Sequence, residues 1–334
     1  MKSMPIGFRP VAHCFLLLLL AGGGPRTYAQ TDTSYFRSYY KKAVARIVYT
    51  YRTRDFYFSS KLAGLTTTNS FHTGNEFFIG ADASYKWAGL NYSISLTPNQ
   101  SKRNTNVQFS TTYKPLRFQM NVSSLQNLNY SVTREKSGAT LDTVLSEREN
   151  DVQIVTARMK LDYVFNYRRY GYSASFSQSG RQLKNAGSVI ASIALSSDNF
   201  FLDKLDGPAK TIFDSTYGFT RTLMGGVEAG VGYGYNWVPG KHWTISVVEQ
   251  PNVAVQLINT QTVEPQLSYR IIGFVNHFKL GVAYTRGRCA IGLSGYTIAG
   301  SNKMKHSNYS NIYNSVDVYV GWIIDTKKKL LLLF

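Results

Sequence analysis

The stretch from Thr220 to Trp237 constrains the fold more than any other part of the chain. Its odd positions read Leu223, Gly225, Val227, Ala229, Val231, Tyr233, Tyr235 and Trp237. Its even positions read Met224, Gly226, Glu228, Gly230, Gly232, Gly234 and Asn236. Side chains alternate faces along a β-strand, so this is one long strand between an apolar environment and a small, polar one. Strands of soluble sheets usually run about 5–6 residues. A strand that crosses a bilayer needs about 9–11, apolar side to lipid and polar side inward. Aromatic residues at one end suit a membrane–water interface.

The pattern recurs along the chain. Phe77, Ile79, Ala81, Ala83 and Tyr85 oppose Gly80, Asp82, Ser84 and Lys86. Val155, Ala157, Met159, Leu161 and Tyr163 oppose Thr156, Arg158, Lys160 and Asp162. Val316, Val318, Val320, Trp322 and Ile324 oppose Ser315, Asp317, Tyr319 and Gly321. Strands are expected near 43–61, 75–87, 90–98, 104–114, 115–125, 152–166, 171–179, 219–237, 241–257, 268–285, 287–300 and 309–324. The links between them alternate: longer at 62–74, 99–103, 126–151, 180–218, 258–267 and 301–308, tight at the others. That rhythm is the one a closed outer-membrane barrel requires, with short periplasmic turns and longer outer loops. The fold class is therefore all-β, an antiparallel transmembrane β-barrel of about 12 strands. Fourteen is the alternative, if Ala186–Leu195 adds a strand and the first segment splits near Arg54–Asp55. The 180–218 link is long enough to fold inward as a plug. Helical periodicity is confined to Ser34–Lys42.

The N-terminus reads as an export signal. Lys2 and Arg9 are followed by an apolar run from Phe15 to Leu20, a break at Gly22–Pro25, and a small-x-small cleavage site at Thr27, Tyr28 and Ala29 before Gln30. The expected organisation is a leader over 1–29, a periplasmic segment over 30–42 and a barrel over 43–334. Past the leader the sole cysteine is Cys289, which excludes an intrachain disulfide and a cysteine-rich metal site. Phe334 supplies a terminal aromatic of the kind outer-membrane assembly machinery reads. Lys327, Lys328 and Lys329 separate that tail from the last clear strand.

The net charge is +18, of which Lys2, Arg9 and Arg26 of the leader carry three. An exported protein meets little nucleic acid. Outer-membrane lipid and lipopolysaccharide phosphates are the expected partners of Lys102, Arg103, Arg134, Lys136, Lys303 and Lys305, which fall in predicted loops. Solvated loop charge accounts for these residues equally well.

Catalytic motifs are scarce. His72, His242, His277 and His306 have no metal-ligand spacing, and Gly292-Leu293-Ser294-Gly295 only resembles a nucleophile elbow. The glycines from Gly226 to Gly234 follow strand alternation, not a dinucleotide pattern. No cofactor is expected. A base at His277 acting on a serine of a neighbouring strand stays open. The inward charges Asp82, Lys86, Arg158, Lys160, Asp162 and Glu228 carry more information. A lysine or arginine facing lipid costs about 2–4 kcal/mol at the midplane, so these residues face the lumen. They either pair across a packed, narrow interior or line a charged path for small solutes.

Several segments resemble one family. They are Tyr39-Tyr40-Lys41-Lys42, Tyr85-Lys86-Trp87 leading to Asn91-Tyr92, Lys184-Asn185-Ala186-Gly187-Ser188, and Gly232-Tyr233-Gly234-Tyr235-Asn236-Trp237 followed by a strand start at Lys241 and Trp243. In this order they look like domain of unknown function 4421, a family of Bacteroidetes outer-membrane proteins. Where the pattern leads one to expect Pro-Gly, this chain has Pro251-Asn252. The resemblance implies an outer-membrane barrel and carries no activity or catalytic residues. The expected function is a structural or narrow, plugged pore-type barrel. The alternatives are a lipid-modifying enzyme of the outer membrane and a surface binding or assembly partner.

Overall fold

The computed structural model describes residues 32–39, 41–62, 64–86, 88–96, 104–136, 142–149, 152–174, 176–177, 179–217, 219–262, 267–303 and 307–326. The expected leader, its Ala29–Gln30 cleavage site and the tail after Lys327 lie outside the described residues. So do Lys102, Arg103, Lys305 and His306.

In chain order the strands are β1 (Phe36–Ser38), β2 (Lys42–Leu62), β3 (Leu65–His72), β4 (Glu76–Tyr85), β5 (Ala88–Ser95), β6 (Thr105–Tyr113), β7 (Leu116–Leu125), β8 (Leu128–Lys136) and β9 (Asp142–Glu149). They continue with β10 (Gln153–Val164), β11 (Gly180–Gln182), β12 (Ala186–Phe201), β13 (Phe219–Trp237), β14 (Trp243–Thr262), β15 (Leu267–Arg286), β16 (Cys289–Lys303) and β17 (Ser307–Asp325). One helix among the described residues, α1 (Gly207–Thr216), lies between β12 and β13. It is too short to cross a bilayer, so crossing falls to the strands.

Twelve strands close the wall in the order β2, β4, β5, β6, β7, β10, β12, β13, β14, β15, β16, β17, and β17 pairs back onto β2. That closing ladder is antiparallel and in register from Ser307 opposite Ser60 to Asp325 opposite Lys42. Closure is obligatory in hydrocarbon, where an unpaired strand edge has no water to bond. The wall is uneven in height. β4 to β7 have 8–10 residues each, whereas β13, β14, β15 and β17 have 19 or 20. β2 joins the two regimes. Its first half pairs β4 as far as Arg52 opposite Glu76. Its second half, from Asp55 opposite His72, pairs β3 instead, and β3 continues to β8 and β9. The Arg54–Asp55 signal thus marks a change of partner within one unbroken 21-residue strand. His72 Nδ1 meets Asp55 Oδ1 at 2.9 Å at that junction. The predicted loop at 126–151 folds as the β8–β9 hairpin, and Arg134 and Lys136 are exposed residues of β8.

The twelve-strand count holds, with one strand placed differently. Residues 171–179 form no wall strand; β12, the softly alternating Ala186 segment, takes that place between β10 and β13. The Ser34–Lys42 segment is not helical: β1 lies there and pairs β11 in a separate two-stranded sheet.

The outer face of the wall is apolar. Val227, Val231, Tyr233, Tyr235 and Trp237 of β13 are exposed, while Met224, Glu228 and Asn236 between them are buried. Tyr85, Tyr113, Tyr163, Trp237, Trp243 and Trp322 stand exposed close to the short-turn end, each near the terminus of its own strand. This is an interfacial girdle of amphipathic rings. Above it exposed aliphatic residues are prominent, as on β14, where Val253, Val255 and Leu257 follow one another.

Val231 stands exposed on the lipid face of β13, six residues before Trp237 of the girdle. Val231→Arg is expected to lower stability by about 2–4 kcal/mol, read as a shift in denaturant titration of barrels refolded in vesicles. Unchanged stability would remove this face from the bilayer.

Candidate functional site

The lumen is divided into three levels. At the outer end the wall's inward side chains turn apolar. Phe56 and Phe58 of β2, Phe200 of β12, Met224 of β13, Ile258 of β14 and Tyr309 of β17 converge there, all buried. Phe71 of β3 and Tyr130 of β8 join from the extension. Phe213 of α1 completes the cluster, its ring 6.0 Å from Phe71 and 6.4 Å from Tyr130. α1 begins at Gly207-Pro208 and buries Ala209 and Phe213, one turn apart, while Lys210 pairs with Asp214 at 2.8 Å on its exposed side. Such i,i+4 spacing lays one apolar stripe across the mouth. Edge-to-face ring pairs contribute about 0.5–1.5 kcal/mol each beyond burial.

At the short-turn end, the segment between β10 and β12 folds inward. Tyr170 and Tyr172 pack with Ile190 of β12 and Val248 of β14 on the inner wall. Gln182 ties the segment together. Its Oε1 accepts from Gly171 N at 2.9 Å and from Asn236 Nδ2 of β13 at 3.0 Å. Its Nε2 lies 2.7, 2.9 and 3.1 Å from the carbonyls of Arg169, Lys184 and Tyr35. Two hydrogens serve three acceptors, so one is shared. The wall reaches in from other sides too. Arg46 Nη1 donates to Phe176 O at 2.7 Å, and the Arg117 guanidinium lies 4.1 Å from the Tyr172 ring centroid. The 180–218 link, expected to fold inward, contributes to both seals: Gln182 at its start joins Tyr170 and Tyr172 from before it in the inner plug, and Phe213 of α1 further along it belongs to the outer cluster.

Three glycine positions show how the sequence permits this packing. A side chain at Gly234 would collide with the Tyr170 hydroxyl, and one at Gly171 or Gly180 with the Phe36 ring. The N-terminal segment is held by the same plug. Asp32, just before β1, accepts from Ser34 Oγ at 2.6 Å and Ser34 N at 3.0 Å, and those bonds hold its carboxyl below the usual range.

Between the two seals lies a polar chamber of about 210 Å³, bordered by Phe56 at the outer side and Phe176 at the inner. Seven basic side chains and three carboxylates border it. Arg46 makes a two-pronged pair with Asp82, Nε to Oδ1 at 3.2 Å and Nη2 to Oδ2 at 3.0 Å. Asp162 receives Arg117 at 3.4 Å and Lys160 at 3.3 Å, and Lys160 also donates to Gln250 at 2.5 Å. Glu228 Oε1 stands 3.2 Å from Arg158 Nη2, while its Oε2 meets His277 Nε2 at 3.0 Å. His277 Nδ1 meets the Tyr296 hydroxyl at 3.0 Å. Removing one partner of such a buried pair leaves the other charge uncompensated, at about 3–5 kcal/mol.

Five of the six charges singled out in the sequence thus belong to paired groups inside the wall. Lys86 does not join them: it occupies the β4–β5 turn at φ 54° with its ammonium 5.2 Å from the exposed Tyr85 ring. Strand alternation cannot place a residue once the strand has ended. His277 lies beside Glu228 and Tyr296, and no serine hydroxyl bonds it among the described residues. Arg46, Arg52, Arg54, Arg117, Asp198, Lys279 and Asp317 were not singled out, although each sits at an inward position of a wall strand and borders the same chamber. The signal was present, since the partner parity within each strand already assigns them inward.

Solved structures with similar folds are bacterial outer-membrane barrels. The outer-membrane protease OmpT from Escherichia coli matches at 6% identity and TM-score 0.41 over 85% of this chain and 97% of that one. The outer-membrane protein OprG from Pseudomonas aeruginosa matches at 11% identity and TM-score 0.27 over 85% and 97%. The translocator domain of the autotransporter NalP from Neisseria meningitidis matches at 12% identity and TM-score 0.30 over 94% and 96%. Scores this low give no ground for transferring an activity, ligand or partner. No curated protein sequence matches this chain. A family model does match, over residues 30–322, and covers nearly the whole barrel: the chain belongs to the family described as Domain of unknown function (DUF4421).

Proposed function

We propose that this protein is an integral outer-membrane barrel sealed at both mouths, a closed structural barrel enclosing a polar chamber, in contrast to an open diffusion pore. The observation that carries this reading is the pair of seals. The aromatic cluster under α1 covers one end, and the Gln182-centred plug crosses the other. Twelve strands enclose more space than side chains alone fill, and fewer than the roughly 16–18 strands of water-filled porins. Here the chain itself occupies the difference.

The export signal would deliver the chain to the outer membrane, with cleavage between Ala29 and Gln30. Exposed Arg134, Lys136 and Lys303 stand at the outer ends of their strands, where lipopolysaccharide phosphates are available. A hydrolytic reading finds less support, because the buried His277 is engaged by Glu228 and a phenol.

In planar bilayers the purified protein is expected to give no sustained single-channel conductance. A steady open level from the unmodified protein would overturn the closed reading. Gln182→Ala removes all five contacts of the plug's central amide and is expected to produce intermittent conductance while the barrel band remains heat-modifiable in detergent gels. A variant as silent as the parent would show that Gln182 does not hold the inner seal.

A further inference from the structure

The chamber's basic groups are not served equally. Arg46, Arg117, Arg158 and Lys160 each face a carboxylate at 3.0–3.4 Å. Lys279 does not, donating to Gln119 Oε1 at 3.5 Å, and neither do Arg52 and Arg54. These two arginines are consecutive inward residues of β2, about 7 Å apart along the strand, and only 7% and 8% exposed. Among the described residues neither has a carboxylate within the 4.0 Å of an ion pair. Their Nε atoms are buried without a hydrogen-bond partner, as is Nη1 of Arg158.

The nearest acids, Glu76 and Asp198, accept hydrogen bonds from neutral groups and form no direct ion pair with Arg52 or Arg54. Glu76, opposite Arg52 in the ladder, accepts from the Asn104 amide. Asp198 accepts from the Tyr309 hydroxyl at 3.2 Å and Asn311 Nδ2 at 3.4 Å. Arg54 donates to Thr156 Oγ1 at 2.5 Å, and the two guanidiniums lie 5.7 and 4.5 Å from the Tyr313 ring centroid. Ring faces orient a guanidinium without neutralising it. A buried cation without a directly paired carboxylate is costly, and a guanidinium fork matches the paired oxygens of an oxyanion.

We propose that the chamber holds a small oxyanion, such as phosphate, sulfate or a short carboxylate, bound between Arg52 and Arg54. A volume of about 210 Å³ admits such an ion with water. This goes beyond the closed-barrel reading and does not depend on it. Shut mouths slow exchange but leave equilibrium occupancy unchanged.

The test is to unfold the protein, refold it in detergent with radiolabelled inorganic phosphate, and measure occupancy by equilibrium dialysis at fixed ionic strength. Saturable binding near one phosphate per chain is expected, displaced by sulfate and not by chloride at equal ionic strength. The Arg52→Gln/Arg54→Gln double variant is expected to bind at least tenfold more weakly, and Lys210→Gln on the exposed side of α1 to bind as the parent does. Absence of saturable binding to the unmodified protein, equal displacement by chloride, or undiminished binding by the double variant would each overturn the site. If the double variant does not refold, Arg52→Lys/Arg54→Lys keeps the charge and loses the fork. Weaker phosphate binding by that variant supports the site, and parental binding overturns it.

Discussion

Every other feature of this molecule depends on the ladder between β17 and β2. The first and last wall strands pair over the whole of β17 and nearly all of β2, from Lys42 opposite Asp325 to Ser60 opposite Ser307. Without it the sheet would present two rows of unbonded amides to hydrocarbon. Closure also creates the inside. Only when the ladder is complete do Arg46 and Asp82 face Asp317 and Lys279 across an enclosed space, where a low dielectric strengthens pairing and penalises an unpaired charge. Lipid contact on one face and buried ion pairs on the other are thus two results of one geometric condition.

The interior meets that condition by level. Near mid-height the wall contributes charges in pairs and amide bridges, as where Gln250 links Lys160 to Asp162. Toward the outside the inward side chains become aromatic and the contents resemble a soluble core, with Phe58 edge to face against Phe71 and Phe200, and Phe71 against Phe213. Toward the inside the chain fills its own lumen. A barrel arranged this way has the layered character of a globular protein turned outward at its middle.

The sequence made the wall legible because alternation has a period of two and little else imitates it over ten residues. β13, β10 and β17 were readable for that reason. β12 was harder, because Ser188, Ser192 and Ala194 are small on its inner side and blur the contrast with Val189 and Ile193. Residues 171–179 misled in the opposite direction. Tyr172, Ala174 and Phe176 alternate with serines, a pattern that here suits a plug lying between wall and chamber. α1 escaped notice because ten residues give fewer than three turns, and only Ala209, Ile212 and Phe213 mark its stripe. The charges were legible as inward; which partner each would meet was not, since the β7–β10 register sets Arg117 opposite Asp162 and Arg158 reaches Glu228 across β12, and alternation within a strand does not reveal the register between strands.

Tyr170 seated against Gly234 has a mechanical consequence. The stopper is spun from the same thread as the wall, leashed to β10 on one side and β12 on the other. It cannot be ejected into the periplasm the way a separate domain can. Any passage through this barrel must slip around a captive obstacle whose travel is limited by its two tethers. The widest opening available is therefore fixed by slack in the chain and not by the circumference of the cylinder.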